Sequence, residues 1–121
     1  MAEISPVELA QRYVALSNDH DLNKVFCLFD HMATYHSSQF GSFMGRESIE
    51  EMMGGFFSKF PDVCWTVDEY VQEPDRSVSF EFIMRATSAD TGETVERRGI
   101  ERIYFGQDEL ITHVEVGVTT G

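Results

Sequence analysis

Basic residues are scarce in this chain: nine Lys and Arg stand against 21 Asp and Glu, a formal charge of −12 over 121 residues. A surface that acidic repels phosphate backbones and anionic lipid at neutral pH, so neither nucleic acid nor a membrane surface is an expected partner. Long apolar runs are missing too, and none approaches the roughly 20 residues that a membrane-spanning helix requires. The opening stretch MAEISPVEL has neither the basic nor the apolar region of a signal peptide, and a cytoplasmic setting is expected. Cysteine is limited to Cys27 and Cys64. Each lies inside an apolar run and no C-x-x-C pair occurs, which points to two buried free thiols rather than a disulfide or a zinc site. Neither a repeat nor a low-complexity tract breaks the sequence, so one domain over residues 1–121 is expected.

Soft, bulky side chains are plentiful. Ten Phe and six Met are a large supply of filling for one core, and an excess of that kind can line a cavity as well as pack on itself. Their spacing predicts three helices. Residues 5–18 open with Ser5 as cap, Pro6 at the first helical position and Glu8 completing a capping box, and Leu9, Tyr13 and Leu16 share one stripe. A shorter stripe of Leu22, Val25, Phe26 and Phe29 starts after Asp21 and predicts a helix that ends near Asp30. A third, Ile49, Met52, Met53, Phe56, Phe57 and Phe60, runs to Pro61 and reads as core-facing along its whole length. Gly54 and Gly55 inside it cost about 1 kcal/mol each relative to Ala, and a strand packed close to the backbone is the expected reason.

From Asp62 the period changes from helical to alternating. Val63, Trp65 and Val67 mark one strand, EPDR a turn, and Val78, Phe80, Phe82 and Met84 a second strand. Strands at about 94–105 and 110–120, joined by GQDE, complete a four-stranded antiparallel meander. Helices followed by a meander imply an α+β fold with the helices on one face of a strongly curved antiparallel sheet. The other face carries Glu81, Arg85, Glu96, Arg98, Arg102 and Glu115 among Ile83, Ile100 and Tyr104. Such a face can be solvated; a polar homodimer interface is the preferred reading.

Polar residues gather at TYHSSQFG, residues 34–41, between a short strand and the third helix. With Tyr35 and Ser37 facing inward, strand alternation turns His36 outward, and a bulge at Ser37–Ser38 would reverse that. His36 is nonetheless a candidate base because imidazole titrates near neutrality. His31, His36 and His113 show no metal-ligand spacing, so no metal and no cofactor is expected. Glu101 faces either way by pattern alone: Ile100 and Tyr104 argue for one face of its strand, Ile103 and Phe105 for the other. Arg97 precedes it by four residues, in the same alternation, at a pocket mouth or on the surface.

The strings RYVALSNDHDLNKVFCLF, ATYHSSQFGSFMGRESIEEM, FPD and RGIERIYFGQDELITHVEV, in this order over almost the whole chain, resemble the nuclear transport factor 2-like superfamily, in its SnoaL-like and ketosteroid isomerase-like branch. The resemblance implies a cone in which a curved sheet (cystatin-like) and three helices enclose a deep apolar pocket, and pairing through the outer sheet face. It implies a pocket lined by Tyr35, Phe26, Met53, Phe56, Phe57, Trp65, Phe80, Phe82 and Val116. It places Tyr13 and Glu101 where isomerase-like members donate hydrogen bonds to a carbonyl oxygen; the ketosteroid isomerase site is itself a standard example of a carboxylic acid kept neutral by its surroundings. Ser37 falls where those members carry a carboxylate base, and a serine hydroxyl does not take up a proton near neutrality without an activating group. The resulting expectation is a pocket for an apolar ligand with one carbonyl or hydroxyl. Isomerisation, cyclisation or dehydration by proton transfer is the expected chemistry if there is any, with His36 or a water held by Ser37 as base. The alternative is a non-catalytic module with a vestigial pocket.

Overall fold

A computed structural model describes residues 4–120, without the side chain of Thr120. The chain opens with α1 (Pro6–Asn18), capped as its sequence predicts by the Glu8 N–H donating to Ser5 Oγ at 3.2 Å. A cap of this type contributes about 1 kcal/mol. Helix α2 is one short turn, Leu22–Phe26, with Lys24 N–H donating to Asp21 Oδ1. It stops well before Asp30, because strand β1 already begins at Phe29. The Leu28 carbonyl accepts from Ile111 N–H at 2.8 Å and Phe29 pairs with Ile111, so a long-range ladder takes residues that the local stripe assigned to the helix.

β1 (Phe29–Ser37) turns into β2 (Gly41–Met44), and α3 (Arg46–Lys59) follows. The N-cap of α3 is Gly45 at φ +90°, a backbone that a side chain would strain. Next come β3 (Cys64–Thr66), β4 (Tyr70–Gln72), β5 (Val78–Thr87), β6 (Thr94–Phe105) and β7 (Ile111–Thr120). The sheet order is β2-β1-β7-β6-β5-β3, with β4 also on β5. The three-residue β3 lies along Ile83–Arg85 and β4 along Val78–Phe80, so this edge is one broken strand rather than the single strand expected from Val63 to Val67. All pairings are antiparallel except β1 with β7, which is parallel. The fold is α+β, with three helices on the inner face of a curved, unclosed sheet.

The core lies between that face and the helices: Leu9, Ala10 and Val14 of α1 and Ile49 and Met53 of α3 are buried, as are Phe80, Phe82 and Met84 of β5 and Ile103 of β6. Two expectations about packing fail. Only Ile49 and Met53 of α3 are buried, while Met52, Phe56 and Phe57 are half-buried, because they pack against the core on one side, Phe56 and Phe57 also against Trp65, and face open space on the other. Nothing lies within 4 Å of a Cβ added at Gly54 or Gly55, so no strand explains either glycine. The close approach is at Gly99, where an added Cβ would meet the Gly117 carbonyl oxygen and the Phe82 ring. Cys27 and Cys64 are free but exposed, not buried, since one caps a short surface helix and the other faces outward from an edge strand.

Candidate functional site

The space that α3 faces is a cavity of about 820 Å³ including its open mouth, of which about 80 Å³ admits the centre of a water molecule. It is therefore a narrow slot. Its walls are built by local rules. Phe80, Phe82 and Met84 alternate inward from β5, Val116 and Val118 from β7, and Met52, Met53, Phe56 and Phe57 come from adjacent turns of α3. Trp65 closes one side, stacked on Phe56 with centroids 6.0 Å apart and planes at 26°. The Asn18 amide fixes this indole's backbone from the end of α1. Its Nδ2 donates to the Trp65 carbonyl at 2.9 Å and its Oδ1 accepts from the Trp65 N–H at 2.8 Å.

Few polar groups enter this space. Glu101 does so from β6, where it pairs with Phe80 on one side and Val116 on the other, both inward-facing; it is 7% exposed. That register settles the direction that alternation left open. Oε2 of Glu101 is buried with no hydrogen-bond partner among the described residues. Burial raises the carboxyl from its ordinary 4.5 to about 8, so the neutral acid prevails at pH 7. Tyr13 and Tyr35 also line the slot, and both phenols are held well above their ordinary value, first by burial and then by the negative charge Glu101 would carry. Three groups that each prefer to keep a proton thus share one end of an apolar space.

Ser37 is buried and lines the slot, but its Oγ accepts from the N–H groups of Gln39 (3.2 Å) and Phe40 (3.3 Å). The hydroxyl holds the turn after β1, and that turn brings Gln39 and Phe40 to the cavity. His36 does not reach it. Its ring faces the other side of β1, as strand alternation implies, with Nδ1 2.8 Å from Ser42 Oγ, so of the two candidate bases the imidazole stands outside the lining. Phe26 is likewise outside the lining, because the short α2 leaves it packed against the core from another side. The remaining expected positions, Tyr35, Met53, Phe56, Phe57, Trp65, Phe80, Phe82 and Val116, do line it. Of the lining residues not named from sequence, Met52, Met84 and Val118 continue an apolar stripe or alternation, Val14 follows Tyr13, and Ser17 lies four residues after Tyr13 on one helix face, donating to its carbonyl at 2.8 Å; Gln39 and Phe40 carry no such signal.

On the outer face, His113 joins Thr34 and Glu115: its Nδ1 is 2.6 Å from Thr34 Oγ1 and its Nε2 2.7 Å from Glu115 Oε1. The neutral tautomer that donates Nε2–H to Glu115 accepts at Nδ1 from the threonine. This relay faces away from the slot. Among the described residues no three His, Cys, Asp or Glu side chains are grouped to hold a metal ion, and no helix is long and apolar enough to cross a membrane.

Comparison with known proteins agrees with this architecture. A model of the SnoaL-like domain matches residues 10–114. No curated protein sequence matches the chain. Among solved structures, AclR from Streptomyces galilaeus, a proposed hydroxylase, superposes with a TM-score of 0.79 at 20% identity, covering 94% of this chain and 88% of that one. A Catenulispora acidiphila protein of ketosteroid isomerase-like fold, in complex with trimethylamine, gives 0.80 at 18% identity over 93% and 85%. A Mycobacterium tuberculosis protein in complex with estradiol-17beta-hemisuccinate gives 0.82 at 15% identity over 93% of both chains. At such identities the likeness is one of fold, shared with nuclear transport factor 2-like and cystatin-fold structures.

Proposed function

This chain belongs to the SnoaL-like domain family, and from that premise we propose that it binds an apolar small molecule whose single carbonyl or hydroxyl oxygen meets Glu101 and Tyr13. The observation that carries this reading is the orphaned Oε2 of Glu101, a buried acid in an apolar slot with no hydrogen-bond partner among the described residues. A buried polar group without a partner costs about 1–3 kcal/mol, and a ligand oxygen that accepts its proton removes that cost. Complexes of similar folds with trimethylamine and with estradiol-17beta-hemisuccinate are in keeping with a pocket for small organic molecules.

Binding is the first reading because, among the described residues, the slot holds one carboxylate and no second group with an opposed shift. Proton transfer is the second, favoured by one specific observation: a carboxyl at about 8 is poised to exchange a proton near neutral pH. In that reading Glu101 alone donates and retrieves the proton during isomerisation, cyclisation or dehydration, while Tyr13 stabilises charge on the substrate oxygen. We also take the outer sheet face to pair two copies of the chain, and the setting to be cytoplasmic.

The test is calorimetric titration with 4-phenylphenol. Wild-type protein is expected to bind it roughly tenfold more tightly than Tyr13→Phe or Glu101→Gln, the effect of losing one hydrogen bond in a dry site. Equal affinity in all three proteins overturns the reading. For the second reading, a β,γ-unsaturated ketosteroid should be turned over slowly at most by the unmodified protein. Ser37→Asp should raise the rate, since aspartate can accept the same two loop N–H groups and places a carboxylate in the slot.

A further inference from the structure

Among the described residues Arg97 is the only cationic side chain that lines the slot. It projects from β6 on the same face as Gly99 and Glu101, and its guanidinium lies 5.6 Å from the centre of the Phe60 ring. In a chain with 21 acidic and nine basic residues, an arginine is readily paired. Arg46 meets Glu50, Arg85 meets Glu96 and Arg102 meets Asp75. Among the described residues Arg97 has no such carboxylate and lies instead against an aromatic face. Guanidinium stacked on a ring keeps its N–H edge free to grip a carboxylate in two-point fashion.

The strand sets the spacing. Four residues of β-structure place the Arg97 and Glu101 backbones roughly 13 Å apart, with both side chains directed to the same cavity. Gly99 lies between them, and its missing side chain leaves room for the Phe82 ring, so the interval is floored by an aromatic surface. Each end therefore offers donors: acid and phenol at one, guanidinium at the other, with apolar walls between. Among the described residues no carboxylate other than Glu101 lines the slot, so an anion beside Arg97 meets no repelling carboxylate from its walls.

Resting on the reading of this cavity as a ligand pocket, we propose that its ligand is an elongated, flat organic acid, with a carbonyl or hydroxyl oxygen at the Glu101 end and a carboxylate held by Arg97. The net charge of −12 works against any anion from a distance. A preference for a carboxylate over a neutral isostere must therefore come from a local cation.

Three probes separate the elements of the proposal: 4-phenylphenol, 4′-hydroxybiphenyl-4-carboxylate and the corresponding carboxamide, each titrated calorimetrically into the wild type, Arg97→Gln and Arg97→Lys, with melting curves confirming that the variants fold. The wild type is expected to bind the carboxylate roughly tenfold more tightly than the carboxamide, the worth of a charge-assisted hydrogen bond in a partly dry site. Arg97→Gln should abolish that preference while leaving the affinity for 4-phenylphenol within about twofold, and Arg97→Lys should keep part of it. If the wild type binds all three phenols equally, or Arg97→Gln keeps the preference, the assignment of Arg97 is overturned and the pocket reading survives. If no phenol binds the wild type, both fail.

Discussion

Glu101 ties the site to the stability of the molecule. Its carboxyl is raised from 4.5 to about 8 because burial penalises the charged form. Between those values the unfolded chain releases the proton and the folded chain keeps it. Rising pH therefore favours unfolding through this window, and the loss levels off above about 8. The whole window corresponds to an upper bound of about 5 kcal/mol. Glu101→Gln removes the titration and leaves the rest of the acidic surface unchanged. Urea unfolding at intervals from about pH 5 to about pH 9 should show wild-type stability falling more steeply than that of the variant, by on the order of 2–5 kcal/mol over the range. Parallel pH profiles would mean that Glu101 is charged or solvated in the folded protein. Neighbouring Tyr13 and Tyr35 are raised in the same sense and stay neutral across this range, so neither disturbs the comparison.

Helix α3 provides the prediction at the next scale. Gly54 and Gly55 lie in its third turn with open space where a side chain would go and without the positive φ that only glycine accepts readily. Gly54→Ala and Gly55→Ala should each stabilise the protein by about 0.5–1 kcal/mol, seen as a rise of a few degrees in melting temperature. A fall in either variant would reveal a contact in solution that the fold does not show. If instead the glycines serve the slot by letting Met53, Phe56 and Phe57 adjust, the stabilised variants should bind 4-phenylphenol more weakly. The same helix marks what the sequence reveals of elements. Its C-terminal end is legible because Pro61 and the Ile49-to-Phe60 stripe are local signals, as are Ser5, Pro6 and Glu8 for the start of α1. The end of α2 was not, since Phe29 fits the helical stripe and its strand pairing to Ile111 lies 82 residues away in sequence. β4 was hidden for a related reason: Tyr70–Gln72 are three residues on an edge, ordered by β5 rather than by any pattern of their own. Glu101 occupied the same blind spot, because apolar residues flank it on both faces of β6 and only the register against Phe80 and Val116 turns it inward. Space itself leaves no local trace, which is why the glycines and Cys27 and Cys64 were misread from their apolar neighbours.

For the whole molecule, charge and the outer sheet face pull in opposite directions. Two chains of −12 repel each other when they meet, yet that face exposes Ile100 at 48% and Val71 at 45%, with Ile83 half-buried beside them. Its charged residues are largely satisfied within one chain: Arg85 lies 2.8 Å from Glu96, and Arg102 contacts both Asp75 and the Tyr104 ring. Pairing through this face would therefore draw on apolar burial more than on new ion pairs, which separates two responses to salt. An interface held by ion pairs weakens as salt screens them; one held by Ile100 and opposed by long-range repulsion strengthens, because the Debye length shrinks from about 30 Å at 0.01 M to about 8 Å at 0.15 M. Sedimentation velocity in about 0.01 M and about 0.15 M sodium chloride should show the dimer fraction rising with salt. Ile100→Glu should abolish the dimer in both, since it adds like charges where the two copies meet and removes a central apolar contact. Ile100 points away from the slot, so this variant should still bind 4-phenylphenol as the wild type does. A monomer at both salt concentrations would sink the proposed pairing without touching the pocket. A dimer that dissociates as salt increases would instead assign the interface to charge.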